Sequence, residues 1–425
     1  MNFKIISTIL TFIVFLNFST ICFSLGKTKE CETKDLKARN GLPNFFHKAI
    51  QGDTIKVAYL GGSITAQDGW RVYSLEWLNK QFPKSRFIEV NAAIGGTGSD
   101  FGVFRLHDQV LKFNPDLVFV EFAVNDGSTP TDKVIRAIEG IVRQIWQYNP
   151  KTDICFVYTI KEDFLQTEQK GLLPTSVMAM EKVADYYQIP TINFGLKVSK
   201  MVSSNQLIFT DKSKELNGIK VFSPDGVHPY LETGHNIYFD ILRQSFEAMI
   251  TGNKLTSKKH ILSKPLTADN FSNAKMIDIN SNMLSMNWEI ILNNDKSPFS
   301  GFGNFMNTIG KGTRSGETLT INFKGRAIGA YDIMGPDAGR VVVEVDGLVR
   351  DTISRFDEYC TYRRMNYFVI DNLENKKHQI VFRLLCEPFD KLEILKRRDN
   401  VMKNPDEYVE NNWYVGKILI DGNVL

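Results

Sequence analysis

The sequence lacks most of the features that would place it quickly. It has no CxxC and no HExxH, so no metal site is expected, and no cofactor. Its net charge is only +3 over 425 residues, far from the marked basic excess of nucleic-acid-binding proteins, so no nucleic-acid partner is expected. The short run Lys396-Arg397-Arg398 reads as a solvated loop. Beyond the first residues no apolar segment approaches the roughly 20 residues of a spanning helix. No repeat recurs at a fixed period. What remains, 43% hydrophobic and 23% charged residues, is the composition of a folded globular protein too long for one ordinary core.

The start of the chain is distinctive. Lys4 precedes an apolar stretch from Ile5 to Leu16, then a small-residue exit ending at Ser24. A weakly basic start, a short apolar centre and a small residue at the exit describe a secretory signal over residues 1–24. An uncleaved anchor would need a longer core, and lipidation at Cys22 would need a better sequence than Ser19-Thr20-Ile21 before it. An exported chain without stable membrane insertion is expected. Four of the five cysteines then remain, Cys31, Cys155, Cys360 and Cys386. Pairings of Cys360 with Cys386 and of Cys31 with Cys155 are open, as is a plain buried thiol at Cys155.

From Ile55 to Ile250 apolar strands alternate with helical periods. Strands are expected at 55–60, 86–92, 116–122, 153–159 and 190–194, and helices at 70–82, 101–113, 132–148, 176–187 and 231–249. Such alternation implies a parallel sheet covered on both faces. Residues 251–259 are polar. Beyond them come short β-rich runs, 288–292, 318–323, 327–333, 341–345, 367–370, 378–385 and 413–420, punctuated by turns such as Asp346-Gly347, as in an antiparallel sandwich. The expected organisation is a signal (1–24), an α/β domain (25–252), a linker (253–262) and a β-sandwich domain (263–425).

Three strand ends carry candidate chemistry. The first runs into Gly61-Gly62-Ser63-Ile64-Thr65, which exposes a serine but is not GxSxG. The second runs into Gly95-Gly96-Thr97-Gly98, which fails the dinucleotide pattern because position 101 is Phe. The third runs into Asn125-Asp126, of which Asp126 reads as the structural member. Ligands of open α/β sheets bind at that carboxyl edge. A serine hydroxyl needs a base, and Asp225-Gly226-Val227-His228 offers one with a carboxylate three residues before it. His107 and His235 fall within helical spacing and read as packing or surface groups. Trp70, Arg71 and Arg105 lie near the catalytic loops and, with Gly62, are candidate substrate contacts.

These blocks, in this order, resemble the SGNH/GDSL hydrolases, in a GGSIT-type version similar to carbohydrate esterases. The resemblance covers about Lys56 to Ile250. It implies a flavodoxin-like three-layer α/β/α fold and ester hydrolysis by a Ser63–His228–Asp225 triad. Its oxyanion donors would be the amides of Ser63 and Gly96 and the Asn125 side chain. Gly62 departs from the commoner Asp, and Ala123 from a glycine usual two places before the asparagine. The expected activity is secreted hydrolysis of O-acetyl groups on a carbohydrate, an acylated glycan being the partner. Alternatives are a lipase, thioesterase, arylesterase or acyltransferase of the same chemistry, and a non-catalytic glycan-binding protein.

Overall fold

Alternate residues of one strand feed two different cores, and this sets the architecture. In β2 (Thr54–Gly61), Val57 and Tyr59 point into one apolar cluster while Ala58 and Leu60 point into another. The same split recurs in β4 (Leu117–Glu121) and β5 (Asp153–Tyr158), so both faces of the sheet are covered and the strands read as nearly continuous apolar runs. The computed structural model describes residues 35–252 and 256–425. The signal over 1–24, Cys22, Cys31 and the first residues of the expected linker lie outside the described residues.

With β1 (Leu36–Lys37), β3 (Arg86–Ala93) and β6 (Thr191–Asn193), the strands lie in the order β1-β6-β5-β4-β2-β3. All neighbours are parallel except β1 against β6. Leaving out β1, the five parallel strands follow the flavodoxin-like order 2-1-3-4-5, and the chain reverses direction across the sheet beside β2. One face carries α4 (Ser99–Gln109), α5 (Thr131–Tyr148) and α7 (Thr175–Tyr187). The other carries α1 (Pro43–Gln51), α3 (Trp70–Gln81), α8 (Phe194–Ser203) and α9 (Asn236–Gly252). Two shorter helices, α2 (Ser63–Ala66) and α6 (Leu165–Gln169), follow strand ends, and β7 (Ile208–Thr210), β8 (Glu215–Leu216) and β9 (Ile219–Ser223) form a small separate sheet. Sequence reading missed β1, α1, α8 and this small sheet.

Helix α5 shows why its pattern looks amphipathic although the helix is almost wholly buried. Val134, Ile138, Ile141 and Ile145 face the sheet. The opposite face carries Arg136, Glu139, Arg143 and Gln144, also buried, because residues 263–271 lie across them. Glu139 accepts from the Thr267 amide and hydroxyl, at 2.8 and 2.6 Å, and Arg143 donates to the Ser263 carbonyl at 2.9 Å. Gln144 donates to the Phe271 carbonyl at 2.8 Å. Just upstream, His260 bonds Asp153 at 2.7 Å and stacks on Trp146. The connector is therefore strapped to the α/β layers through these bonds. The described residues form one compact unit.

The C-terminal region is a nine-stranded antiparallel sheet, with β10 (Ala274–Asp278), β11 (Glu289–Leu292), β12 (Thr308–Gly312), β13 (Thr318–Met334), β14 (Arg340–Val345), β15 (Leu348–Ser354), β16 (Arg364–Ile370), β17 (Lys376–Leu385) and β18 (Trp413–Val424). Its inner face closes on a core in which Phe382 meets Phe368 at 5.5 Å and Trp413 at 5.9 Å. The runs expected at 318–323 and 327–333 are one strand, β13. Lys324-Gly325-Arg326, which separates the two expected runs, forms a bulge against β18. The extra residue reverses the alternation. Before it Leu319, Ile321 and Phe323 point into the sheet's own core; after it Ile328 and Ala330 do, and Ala327, Tyr331 and Ile333 turn toward the α/β layers. The pairing of Cys360 with Cys386 does not occur: both are free thiols, as is buried Cys155. Cys360 bonds Asp357, and Cys386 reaches the carbonyls of Thr313 and Asn411, so each thiol is satisfied separately.

Candidate active site

Three loops meet where β2, β3 and β4 end. Gly62 caps α2, and Ser63 is its first residue. A Cβ on Gly62 would lie 2.0 Å from Asn125 Oδ1, so only glycine lets the Asn125 amide lie against the serine turn. A Cβ built on Gly95 would sit 3.5 Å from the Ser63 Cβ, which places the Gly95-Gly96 turn on the serine's other side. Gly96 is exposed. Asp126, beside Asn125, is buried and accepts the Ser99 amide at 3.0 Å.

The opposing loop follows β9. Asp225 Oδ1 accepts the amides of Val227 and His228 at 3.0 and 2.8 Å, an Asx turn that folds the loop back. Asp225 Oδ2 lies 2.8 Å from His228 Nδ1, and His228 Nε2 lies 2.8 Å from Ser63 Oγ. A carboxylate only accepts, so Nδ1 carries the proton and Nε2 presents its lone pair to the serine hydroxyl. Burial raises the Asp225 carboxyl's pKa, but the bond from His228 and the two amides outweigh it and hold the group well below the usual carboxylate range. The Gly226 carbonyl, accepting from the Glu162 amide at 2.8 Å, ties the loop to the segment after β5.

The serine turn is braced from beneath by a residue that sequence reading missed. Glu121, fully buried at the end of β4, accepts from Thr65 Oγ1 at 2.8 Å, from Thr159 Oγ1 at 2.7 Å and from the Gly62 amide. Burial raises its pKa against those three bonds. A lone acid in an otherwise apolar buried strand was the available signal. His235, read as a packing or surface group, is buried in a wide turn before α9, where Nδ1 accepts the Trp70 amide at 3.2 Å and Nε2 meets Gln67 Oε1 at 3.1 Å. Burial lowers its pKa to about 4, so the ring is neutral beside the His228 loop.

Trp70, Arg71 and Arg105 do not line the site. Trp70 is fully buried among Tyr59, Phe119 and Phe194. Arg71 donates to the Thr65 and Ala66 carbonyls, to Asp68 and to Glu89. Arg105 donates to the carbonyls of Gly61 and Ala92 and to Gln109, and burial lowers its pKa to about 10. Arg105 donates to carbonyls at the ends of β2 and β3 and Arg71 to carbonyls at the end of α2, so the expected substrate contact is replaced by support of the serine turn. Gly62 is likewise buried beneath Asn125. Among the described residues no group of three or more His, Cys, Asp or Glu side chains is arranged to hold a metal ion, and no helix is long and apolar enough to cross a membrane.

A cleft of ≈ 380 Å³ opens beside Gly96, between the α/β layers and the C-terminal sheet. Thr129, Lys133, Asn366 and Asp371 give it hydrogen-bonding groups, and Phe104 and Tyr367 give it aromatic walls.

Residues 59–231 match the model of the GDSL-like lipase/acylhydrolase family. The chain resembles two crystal structures of a two-domain esterase (CEX) active on acetylated mannans. One covers 92% of this chain and 98% of that one, with a TM-score of 0.70 and 20% identity. The other, co-crystallised with mannopentaose, covers 90% and 97%, with a TM-score of 0.67 and 20% identity. At that identity the likeness is one of fold, and it extends over both the α/β layers and the C-terminal sheet. No curated protein matches the chain.

Proposed function

We propose, for a chain whose residues 59–231 are a GDSL-like lipase/acylhydrolase domain, that Ser63 is the nucleophile of a carboxylic-ester hydrolysis and that the substrate is an O-acetyl group on a carbohydrate. The observation that carries the reading is the unbroken hydrogen-bonded line from Asp225 through His228 to Ser63 at the carboxyl edge of the sheet. As Ser63 Oγ bonds to the ester carbonyl carbon, its proton passes to His228 Nε2. Asp225 holds the imidazole in register and stabilises its positive charge. The amides of Ser63 and Gly96 and the Asn125 side chain receive the oxyanion. Collapse breaks the bond to the alcohol, which leaves with the proton from His228. Water then attacks acyl-Ser63, gives a proton to His228 and releases the acid.

The carbohydrate part of the reading is supported by the mixed polar and aromatic lining of the cleft beside Gly96, which suits sugar hydroxyls and ring faces better than an acyl tail. A fold shared with an esterase active on acetylated mannans adds to it. We further propose export directed by residues 1–24, and the division 25–252, 253–262 and 263–425.

Acetate release from a panel of acetylated polysaccharides, followed by mass spectrometry, tests the reading. Wild type releases acetate from at least one glycan, and Ser63→Ala loses roughly 10⁴-fold or more. Equal release by both proteins overturns the esterase. Preferred turnover of long-chain esters favours the lipase alternative, and acetylation of an added sugar acceptor favours the acyltransferase.

A further inference from the structure

The C-terminal sheet reaches into the loop that carries Gly96. Tyr331 on β13 and Tyr367 on β16 stand opposite one another in the ladder. The bulge in β13 turns Tyr331 toward the α/β layers, and both rings clamp Phe101, at 4.6 and 4.5 Å, with the Tyr367 ring stacked parallel to it. Phe101 belongs to the first turn of α4, directly after Gly95-Gly96-Thr97-Gly98. The two hydroxyls then part. Tyr331 donates to the Met365 sulfur. Tyr367 donates to Asp100 Oδ1 at 2.8 Å and accepts the Gly98 amide.

Gly98 has no slack. A Cβ there would lie 2.4 Å from Asp126 Oδ1 and 2.9 Å from Asp100 Oδ1, so two carboxyl groups and one phenol converge on a single peptide. Burial raises the pKa of both carboxyls, that of Asp126 to about 7. The Tyr367 hydroxyl is the member of this set that comes from outside the α/β layers.

We propose that Tyr367 is a positioning residue for the esterase site: by holding the Gly98 amide and Asp100 it fixes the loop whose Gly96 amide faces the developing oxyanion. The inference rests on the esterase reading. The C-terminal sheet thereby acts in the chemical step through a hydrogen bond, without touching the reacting atoms. Small displacements of a preorganised donor weaken transition-state stabilisation more than substrate binding.

The test is the full-length chain with 4-nitrophenyl acetate, comparing wild type, Tyr367→Phe, Tyr331→Phe and Ser63→Ala. Tyr367→Phe keeps the ring on Phe101 and removes only the hydroxyl. Its kcat is expected to fall about 10- to 100-fold with KM within about twofold and thermal stability nearly unchanged. Tyr331→Phe removes a hydroxyl from the same interface and is expected to keep wild-type kcat. An unchanged kcat in Tyr367→Phe overturns the inference, as does an equal fall in both tyrosine variants, which would report a loosened interface. Wild-type turnover no greater than that of Ser63→Ala overturns the esterase reading, and the inference with it.

Discussion

Buried charge serves different ends in the two regions. Under the candidate site, Arg71, Arg105 and Glu121 direct most of their hydrogen bonds to the backbone and hydroxyls of the serine turn and neighbouring strand ends. In the C-terminal sheet two buried carboxylates instead face arginines. Arg355 meets both oxygens of Asp332 at 2.6 Å, with the Trp413 indole donating to the same carboxylate at 2.9 Å, and Arg363 meets Asp337 at 2.7 and 3.0 Å. Mid-strand backbone is mostly paired in its ladder, so Asp332 is compensated by the Arg355 and Trp413 side chains. At strand ends a carbonyl has a lone pair to spare, and a guanidinium can hold a loop in one conformation. One region uses buried charge to fix packing, the other to fix the turn that carries Ser63.

The sharpest way to break this contrast is Asp332→Ala. It strands the buried Arg355 guanidinium and is expected to cost about 3–5 kcal/mol of stability in denaturant titration, with kcat of the folded fraction unchanged. A large kcat loss there would erase the distinction. Asn125→Ala is the counterpart, expected to raise the chemical barrier by about 3–4 kcal/mol in kcat measurements while leaving the melting temperature nearly where it was. Arg105→Met falls between. It removes the bonds to the Gly61 and Ala92 carbonyls, for about 1–3 kcal/mol of stability, and lowers kcat as well because the serine turn loosens.

The smallest effect concerns a buried acid outside either scheme. Glu168 on α6 lies beside the Asn193 side chain, and burial raises its pKa to about 8. A raised carboxyl pKa means the folded state holds the proton more tightly than the unfolded chain. The group therefore leaves stability untouched below its unfolded value near 4.5 and costs progressively more as pH climbs toward 8. Glu168→Gln is expected to melt like wild type at pH 4 and a few degrees higher at pH 8. A constant difference across that range would remove the assignment.

What the sequence displayed follows the same line. The parallel strands were legible because both faces are apolar, and Ser63, Gly96, Asn125, Asp225 and His228 were legible because each sits at a fixed offset from a strand or turn. Arg71, Arg105 and Glu121 were not, since a charged side chain reveals its burial only through partners brought by the fold. Helix α8 escaped notice although Asn193 caps it with bonds to Gly195 and Leu196. The break expected inside β13 was misread because a glycine between charged residues serves a bulge as well as a turn. The Tyr367–Asp100 bond joins residues 267 positions apart, beyond any local pattern.

The strap over α5 limits how this protein can be rearranged. A gene fragment ending near residue 252 would leave Arg136, Glu139, Arg143 and Gln144 without Asp269, Thr267, Ser263 and Phe271, and would uncover Phe101 and Phe104 beside them. The halves are thus poor cassettes: exchanging the C-terminal sheet for another would mean redesigning an entire helical face, and changes on either side of that seam are expected to evolve together.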